Sequence, residues 1–378
     1  MLSIVIAIVL TEITLNLFFR ANDPYRKKKR CAADMKYIES QFFPNEEYFF
    51  YPEPELSGMP QQSLFTTNNI GFRGPHLVYP KPPDEYRIFM VGGSTTECLY
   101  LDDTLTITYV LQSYLNSHCP DIAVFKVYNA GKGGDKSYDH VAMISQRIIH
   151  LQPDMIIVFP GINDLLAAIC GVDYIHLPKT RNIYYSFLDL TKHLLTEFQI
   201  PRYIYYILIP KSDEDIMTEI PFYSNYKRQV ELRKSYPVSK KRPRTGLSLY
   251  RNNILSIIAI AHAHDIELVL MTQITTWNSK VDARVSEWHW LTHRNGVTYS
   301  ELLMDRAMEA YNDVARQLAL EYDVQLFDLA REMPKSLDYI YDDCHFNVRG
   351  AHRAGALLGD FIMQNCREFS GNGSIPSH

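Results

Sequence analysis

The sequence predicts an α/β protein, a three-layer, doubly wound fold on a five-stranded parallel sheet, with a transmembrane helix at its N-terminus. Three observations predict it. Five short apolar runs are each bounded by turn residues, helical patterns alternate with those runs, and an apolar stretch of 18 residues opens the chain.

The opening stretch is Leu2–Phe19, LSIVIAIVLTEITLNLFF. As a helix it would rise ~27 Å at ~1.5 Å per residue, just enough for a bilayer core. It has neither a basic start nor a small-residue cleavage site, so it reads as an uncleaved single-pass anchor over residues 1–19. Glu12 keeps an amphipathic or buried helix in contention, because a carboxylate at mid-membrane is costly. Arg26, Lys27, Lys28, Lys29 and Arg30 follow, and such a cluster tends to stay on the cytoplasmic side.

Residues 20–84 form a lead-in whose later part is rich in Pro, Tyr and Phe and contains TTNNIGFRG, Thr66–Gly74. The five apolar runs are Arg87–Gly92, Ala123–Tyr128, Met155–Pro160, Glu267–Thr272 and Val324–Leu329. Their near-continuous apolar character suits strands covered on both faces. Helical patterns lie at Thr104–Asn116, His140–His150, Ser248–His264, Ser300–Glu321 and Ala351–Met363. One domain is expected over 85–367, with a tail at 368–378. Residues 171–247 break the repeat as a long insertion, expected to be a lid, a binding surface or a loop. Its end, SKKRPRTG, reads as solvated.

A net charge of −5 and the lack of a basic stripe interleaved with aromatics argue against a nucleic-acid partner. The six cysteines are scattered, and no Cys/His spacing suggests zinc.

In an open α/β sheet, ligands bind beyond the carboxyl ends of the strands. Val91-Gly92-Gly93-Ser94-Thr95-Thr96-Glu97 follows the first strand and places Ser94 on a tight strand-to-helix turn, as a nucleophile or as a simple helix cap. Asn129-Ala130-Gly131-Lys132-Gly133-Gly134-Asp135 follows the second; such a loop can aim backbone N–H groups at a developing anion, or merely connect. After the third strand comes Asn163, which can donate an amide N–H to an oxyanion or close an Asx turn. Beyond the fifth come Asp342, Asp343, Cys344 and His345. The three-residue spacing favours Asp342 over Asp343 as the carboxylate that orients the imidazole.

Taken together and in this order, the four blocks resemble the SGNH (GDSL-like) hydrolases over roughly residues 60–365, in particular membrane-anchored bacterial members with a GGSTTE first block. The resemblance implies a flavodoxin-like sheet and a serine esterase or deacylase working through an acyl-enzyme. Ser94 would be the nucleophile, His345 the base and Asp342 its partner. The Ser94 and Gly134 N–H groups with the Asn163 amide would form the oxyanion hole. No metal or organic cofactor is implied, and the substrate would be a small-molecule, glycan or lipid ester. It also favours an extracytoplasmic (periplasmic) domain, against the basic cluster. One departure stands out: Gly93 replaces the usual Asp before the serine, so that residue's hydrogen bonds are lost.

If Ser94 and His345 meet, Cys98 and Cys344 come into one neighbourhood, and a disulfide between them is expected, with two buried thiols as the alternative. His289 and His293 lack the third ligand of a metal site and are expected on the surface of an aromatic loop. Of three other functions, the sequence barely separates the first from ester hydrolysis, and the other two fit less fully. An O-acyltransferase would use the same serine, a noncatalytic glycan-binding envelope protein would leave the site residues unexplained, and a nucleotide binder lacks GxxxxGK[ST].

Overall fold

A computed structural model describes residues 7–14, 42–52, 54–171, 231, 235–278, 283–294 and 296–366. The chain divides into two compact units, Met1–Glu39 with Asp173–Phe222, and Ser40–Val172 with Tyr223–His378. In the first, the described residues 7–14 are helical, and the Thr11 and Thr14 hydroxyls donate to carbonyls four residues back. No helix among the described residues is long and apolar enough to cross a membrane. The expected anchor is therefore not supported. The rest of residues 1–19, like most of the expected insertion, lies outside the described residues.

The second unit opens with an antiparallel pair, β1 (Glu47–Phe50) and β2 (Ser63–Thr66). Next come β3 (Glu85–Gly92), the short helix α1 (Ser94–Glu97), α2 (Ile107–His118) and β4 (Val124–Gly131). They are followed by α3 (Ser137–Gln146), β5 (Met155–Phe159) and α4 (Ile162–Ile169). After the insertion come α5 (Leu247–Ala263), β6 (Glu267–Met271) and α6 (Ala283–Ser286), then the two-residue strands β7 (His293–Arg294) and β8 (Val297–Thr298). The chain continues through α7 (Glu301–Glu321), β9 (Gln325–Phe327), α8 (Leu329–Glu332) and α9 (Val348–Asn365).

The main sheet has the order β4-β3-β5-β6-β9, every neighbouring pair parallel. Strand side chains alternate between two covered faces. Ile88, Met90, Val127, Ile157, Val269 and Met271 join a core with Ile107, Leu111 and Leu115 of α2 and Ala354, Leu358 and Ile362 of α9. On the other face Phe89, Ile156, Val158 and Leu270 are buried, as are Ile144 of α3, Ile254 and Ile257 of α5, and Met304 and Met308 of α7. Fully burying one such side chain contributes roughly 1.5–3 kcal/mol, so the two faces together fix the layer order.

β4 outruns its expected end. Asn129, Ala130 and Gly131, expected in the loop, stay in the strand by pairing with Met90, Val91 and Gly92. The lead-in reinforces this edge, where Arg73 N donates to Asn129 O at 3.2 Å and Asn129 N to Arg73 O at 2.8 Å. Arg73 reaches this position through a turn in which Asn68 Oδ1 accepts from the Ile70 and Phe72 N–H groups at 3.0 and 3.1 Å. Thr298 of β8 binds the backbone of Pro237 and Ser239, so the last part of the insertion adds to the β7–β8 ribbon, while Lys240, Lys241, Arg242 and Arg244 are exposed.

Candidate active site

The four motifs all emerge at the carboxyl end of the main sheet. β3 ends at Gly92, and α1 is held by the Thr96 and Glu97 N–H groups donating to Gly93 O at 3.1 and 3.0 Å. Gly93, not Ser94, is the N-cap, and no side chain caps this helix. The Ser94 hydroxyl is thus not used as a cap. Its Oγ lies 2.8 Å from His345 Nε2.

His345 is placed by a tight turn. Tyr341 N donates to His345 O at 2.9 Å, while Asp342 Oδ1 accepts from the Cys344 and His345 N–H groups at 2.9 and 2.8 Å. Asn347 then caps α9, its Oδ1 accepting from Gly350 N at 2.9 Å. The second Asp342 oxygen, Oδ2, lies 2.7 Å from His345 Nδ1. Asp342 and His345 are both buried, and the Tyr341 ring stacks on the imidazole at 5.7 Å between centroids.

The two adjacent carboxyls are driven in opposite directions. Burial would raise Asp342, but the His345 charge and its hydrogen bonds hold it below the usual carboxylate value. Asp343 is pushed up, first by burial and further by the like charge of Asp342, although His289 pulls the other way. For His345, burial works against the imidazolium, yet the charge of Asp342 and its hydrogen bond prevail, and its pKa stands well above the ordinary histidine value. Asp342 rather than Asp343 meets the imidazole, as the spacing favoured.

Among the described residues, neither the Ser94 nor the Gly134 N–H makes a hydrogen bond. Gly134 has φ +87°, and no atom lies within 4 Å of where its side chain would point. Asn163 Nδ2 donates to Asp135 O at 2.9 Å, which uses one of its two N–H groups. The loop is tied to α1 by Asn129, whose Nδ2 donates to Thr96 O at 2.6 Å and whose Oδ1 accepts from Gly131 N at 2.9 Å. Glu97 lies beneath the same loop, and its carboxyl is raised by burial, against the pull of Lys132 and the Gly133 N–H.

The expected Cys98–Cys344 disulfide does not form; both thiols are free and buried. Cys98 takes a left-handed conformation, φ 51°, and its Sγ turns to Thr95 O at 3.3 Å. Cys344 Sγ lies 3.8 Å from His345 Nδ1, on the ring edge opposite the one that meets Ser94. Burial pushes each thiol up to about 11, so both stay protonated.

The expected surface histidines are buried as well. His289 Nε2 lies 2.7 Å from Thr276 Oγ1, which itself donates to Asp342 O at 2.8 Å. Asp343 draws this segment inward by accepting from the Trp290 and Leu291 N–H groups at 2.7 and 3.1 Å. Trp290 Nε1 donates to Asp342 Oδ2 at 3.1 Å. No pattern in the sequence marked Trp290 or Thr276; only their place after the fourth strand, at the ligand-binding edge, pointed to them. Arg73 lies in the TTNNIGFRG segment of the lead-in. Its guanidinium donates to the carbonyls of Glu97, Cys98 and Leu101 at 2.8–2.9 Å and pairs with Asp103.

Among solved structures, the chain is similar to LAE5, an alpha/beta hydrolase from the metagenome of Lake Arreo, Spain, at 13% identity and TM-score 0.41, covering 74% of this chain and 94% of that one. It is also similar to Axe2, an acetylxylan esterase from Geobacillus stearothermophilus, at 15% identity and TM-score 0.41, covering 75% and 94%. Likenesses this remote assign no residue and no substrate. No curated protein matches the sequence. The GDSL-like lipase/acylhydrolase family does match it, over residues 90–353, a span that takes in all four blocks and well over half of the chain. The chain belongs to the GDSL-like lipase/acylhydrolase family and is a hydrolase of ester bonds.

Proposed function

We propose that the protein is a serine deacylase that cleaves an O-acyl ester through a Ser94–His345–Asp342 triad. One observation carries this reading: the continuous chain Ser94 Oγ, His345 Nε2, His345 Nδ1, Asp342 Oδ2, with contacts of 2.8 and 2.7 Å. Ser94 Oγ attacks the ester carbonyl carbon while its proton passes to His345 Nε2. Asp342 fixes the tautomer with Nδ1 protonated and stabilises the imidazolium as it forms. The carbonyl oxygen becomes an oxyanion, to which the Ser94 and Gly134 N–H groups and the remaining Asn163 N–H donate. The intermediate collapses, the alcohol leaves with the proton from His345, and an acyl-Ser94 ester remains. Water then attacks that ester, its proton taken by His345, and releases the acid.

Fluorophosphonate labelling of purified protein tests the reading, because the probe phosphonylates only an activated serine. Wild type should label and Ser94→Ala should not. Label that persists in Ser94→Ala, or never appears in wild type, defeats the proposal. Membrane attachment belongs to the same proposal and rests on the apolar run Leu2–Phe19 alone. Fractionation of the chain with and without residues 1–19 checks it, and an unchanged distribution would remove it.

A further inference from the structure

We propose that Trp290 is a positioning residue for the Asp342–His345 pair, its indole N–H fixing the carboxylate and sharing the oxygen that faces the imidazole. This rests on the serine-esterase reading above and adds to it a residue from a different part of the chain.

The Asp342 carboxylate has four hydrogen-bond donors around it. Oδ1 takes the two N–H groups of its own turn, from Cys344 and His345. Oδ2 is divided between His345 Nδ1 at 2.7 Å and Trp290 Nε1 at 3.1 Å. The turn holds Oδ1 from within, and the indole supplies the one contact from another part of the chain that shares Oδ2 with the imidazole.

Trp290 is itself fixed. Its backbone N–H donates to Asp343 Oδ2 at 2.7 Å, while the other Asp343 oxygen accepts from Trp277 Nε1 at 2.7 Å. The Arg294 guanidinium covers the Trp290 ring, 5.3 Å from its centroid. The consecutive carboxyls thus divide their tasks: Asp342 faces the base, and Asp343 anchors the tryptophan that holds Asp342. A half-buried indole whose N–H ends on a buried carboxylate, rather than in solvent, has more than a packing role.

The chemistry predicts a signature that simple loss of packing does not share. The indole N–H draws negative charge from Oδ2. Without it, more of that charge acts on His345, the imidazolium is favoured, and the neutral base is present only at higher pH. Trp290→Phe keeps an aromatic ring and removes the donor. With p-nitrophenyl acetate as substrate, the acid limb of kcat/KM should move up by about one pH unit, the order expected for a hydrogen bond to a charged group. At neutral pH kcat should fall about tenfold, the factor one such unit implies, with KM little changed and part of the loss recovered in alkali. Trp277→Phe removes a donor from Asp343 alone and should leave the acid limb in place. A Trp290→Phe profile that superimposes on wild type, or a Trp277→Phe profile displaced just as far, overturns the proposal.

A second measurement needs no variant to fold. The chain has three tryptophans, at 277, 288 and 290, so wild type labelled with ¹⁵N-tryptophan gives three indole N–H signals. One of them should titrate with the kinetic acid limb and shift when Ser94 is phosphonylated. If none responds, Trp290 does not sense the pair and the proposal fails. Wild type that neither hydrolyses the ester nor labels would instead sink the serine-esterase reading, while the indole titration still reports on the Trp290–Asp342 bond.

Discussion

Asn163 occupies the space that a side chain at position 93 would need, for a Cβ on Gly93 would lie 2.5 Å from Asn163 Nδ2. This accounts for the Gly-Gly-Ser form of the first block: the amide that donates to Asp135 O lies directly against the nucleophile turn. Introducing the more usual residue, as Gly93→Asp, should displace Asn163 and lower kcat by on the order of 10²-fold, similar to removing one oxyanion donor. Asn163→Ala should cost about as much, and the two changes together little more than either alone. Additive losses in steady-state ester hydrolysis would show that position 93 acts on something other than Asn163.

The direction of the His345 shift sets the pH dependence. The base works as neutral imidazole, and the Asp342 charge prevails over burial to hold its pKa well above the ordinary histidine value. Activity should therefore rise with pH through a limb lying above ~6.5, the unperturbed histidine value. Asp342→Asn removes the charge, so the limb should fall to lower pH while kcat drops by as much as ~10⁴-fold, through the wrong tautomer. A limb that stays in place in Asp342→Asn would exclude the carboxylate as the source of the shift.

The strands and the four motifs were legible because each is written locally. Continuous apolar runs such as Met155–Phe159 have both faces buried, and two glycines after a strand permit the tight turn that puts Ser94 at the start of a helix. Features that depend on contacts distant in sequence were not legible. Proximity in the fold favours pairing Cys98 with Cys344, but a disulfide also needs sulfurs that face each other, and Cys98 Sγ turns to Thr95 O while Cys344 Sγ lies against His345 Nδ1. The burial of His289 depends on Asp343 drawing in a backbone 52–53 residues away, which no short pattern encodes. The loop glycines are visible, whereas how much of that segment remains strand depends on pairing with Met90–Gly92 of β3, reinforced at Asn129 by Arg73 from the lead-in.

Arg73 braces the nucleophile turn from behind. Its Nη1 and Nη2 hold the carbonyls of Glu97, Cys98 and Leu101, and its Nε and Nη2 hold Asp103 Oδ1 at 2.9 and 2.6 Å. Arg73→Met keeps most of the aliphatic stem and removes the donor from each of those acceptors; Asp103 loses its cation and keeps only the Thr66 N–H and hydroxyl. Breaking a buried pair from one side costs about 3–5 kcal/mol; as Asp103 keeps some solvent contact, the lower end is expected. A fall in urea midpoint with unchanged slope checks this. Arg73→Lys keeps the charge but not the planar fork, so it should recover only part of the loss. Full recovery by lysine would show that charge alone matters here.

Two buried groups next to the site should bend the stability curve in opposite directions. His140 is fully buried under the nucleophile turn, and burial lowers its pKa to about 3. Between that value and ~6.5, the unfolded chain holds the imidazole proton and the folded chain does not, so this group makes stability rise with pH. Asp164 accepts from Ser137 Oγ at 2.5 Å, and burial raises its carboxyl to about 6. From ~3.9 up to that value the folded chain holds the proton and the unfolded chain has lost it, so this group makes stability fall with pH. In the shared window, about pH 4–6, the two slopes largely cancel. His140→Phe should expose the falling slope, and Asp164→Asn the rising one, each approaching ~1.4 kcal/mol per pH unit relative to wild type. Urea melts at pH 4, 5 and 6 measure the difference directly. Parallel curves for wild type and both variants would mean that neither group is held in the protonation state its burial dictates.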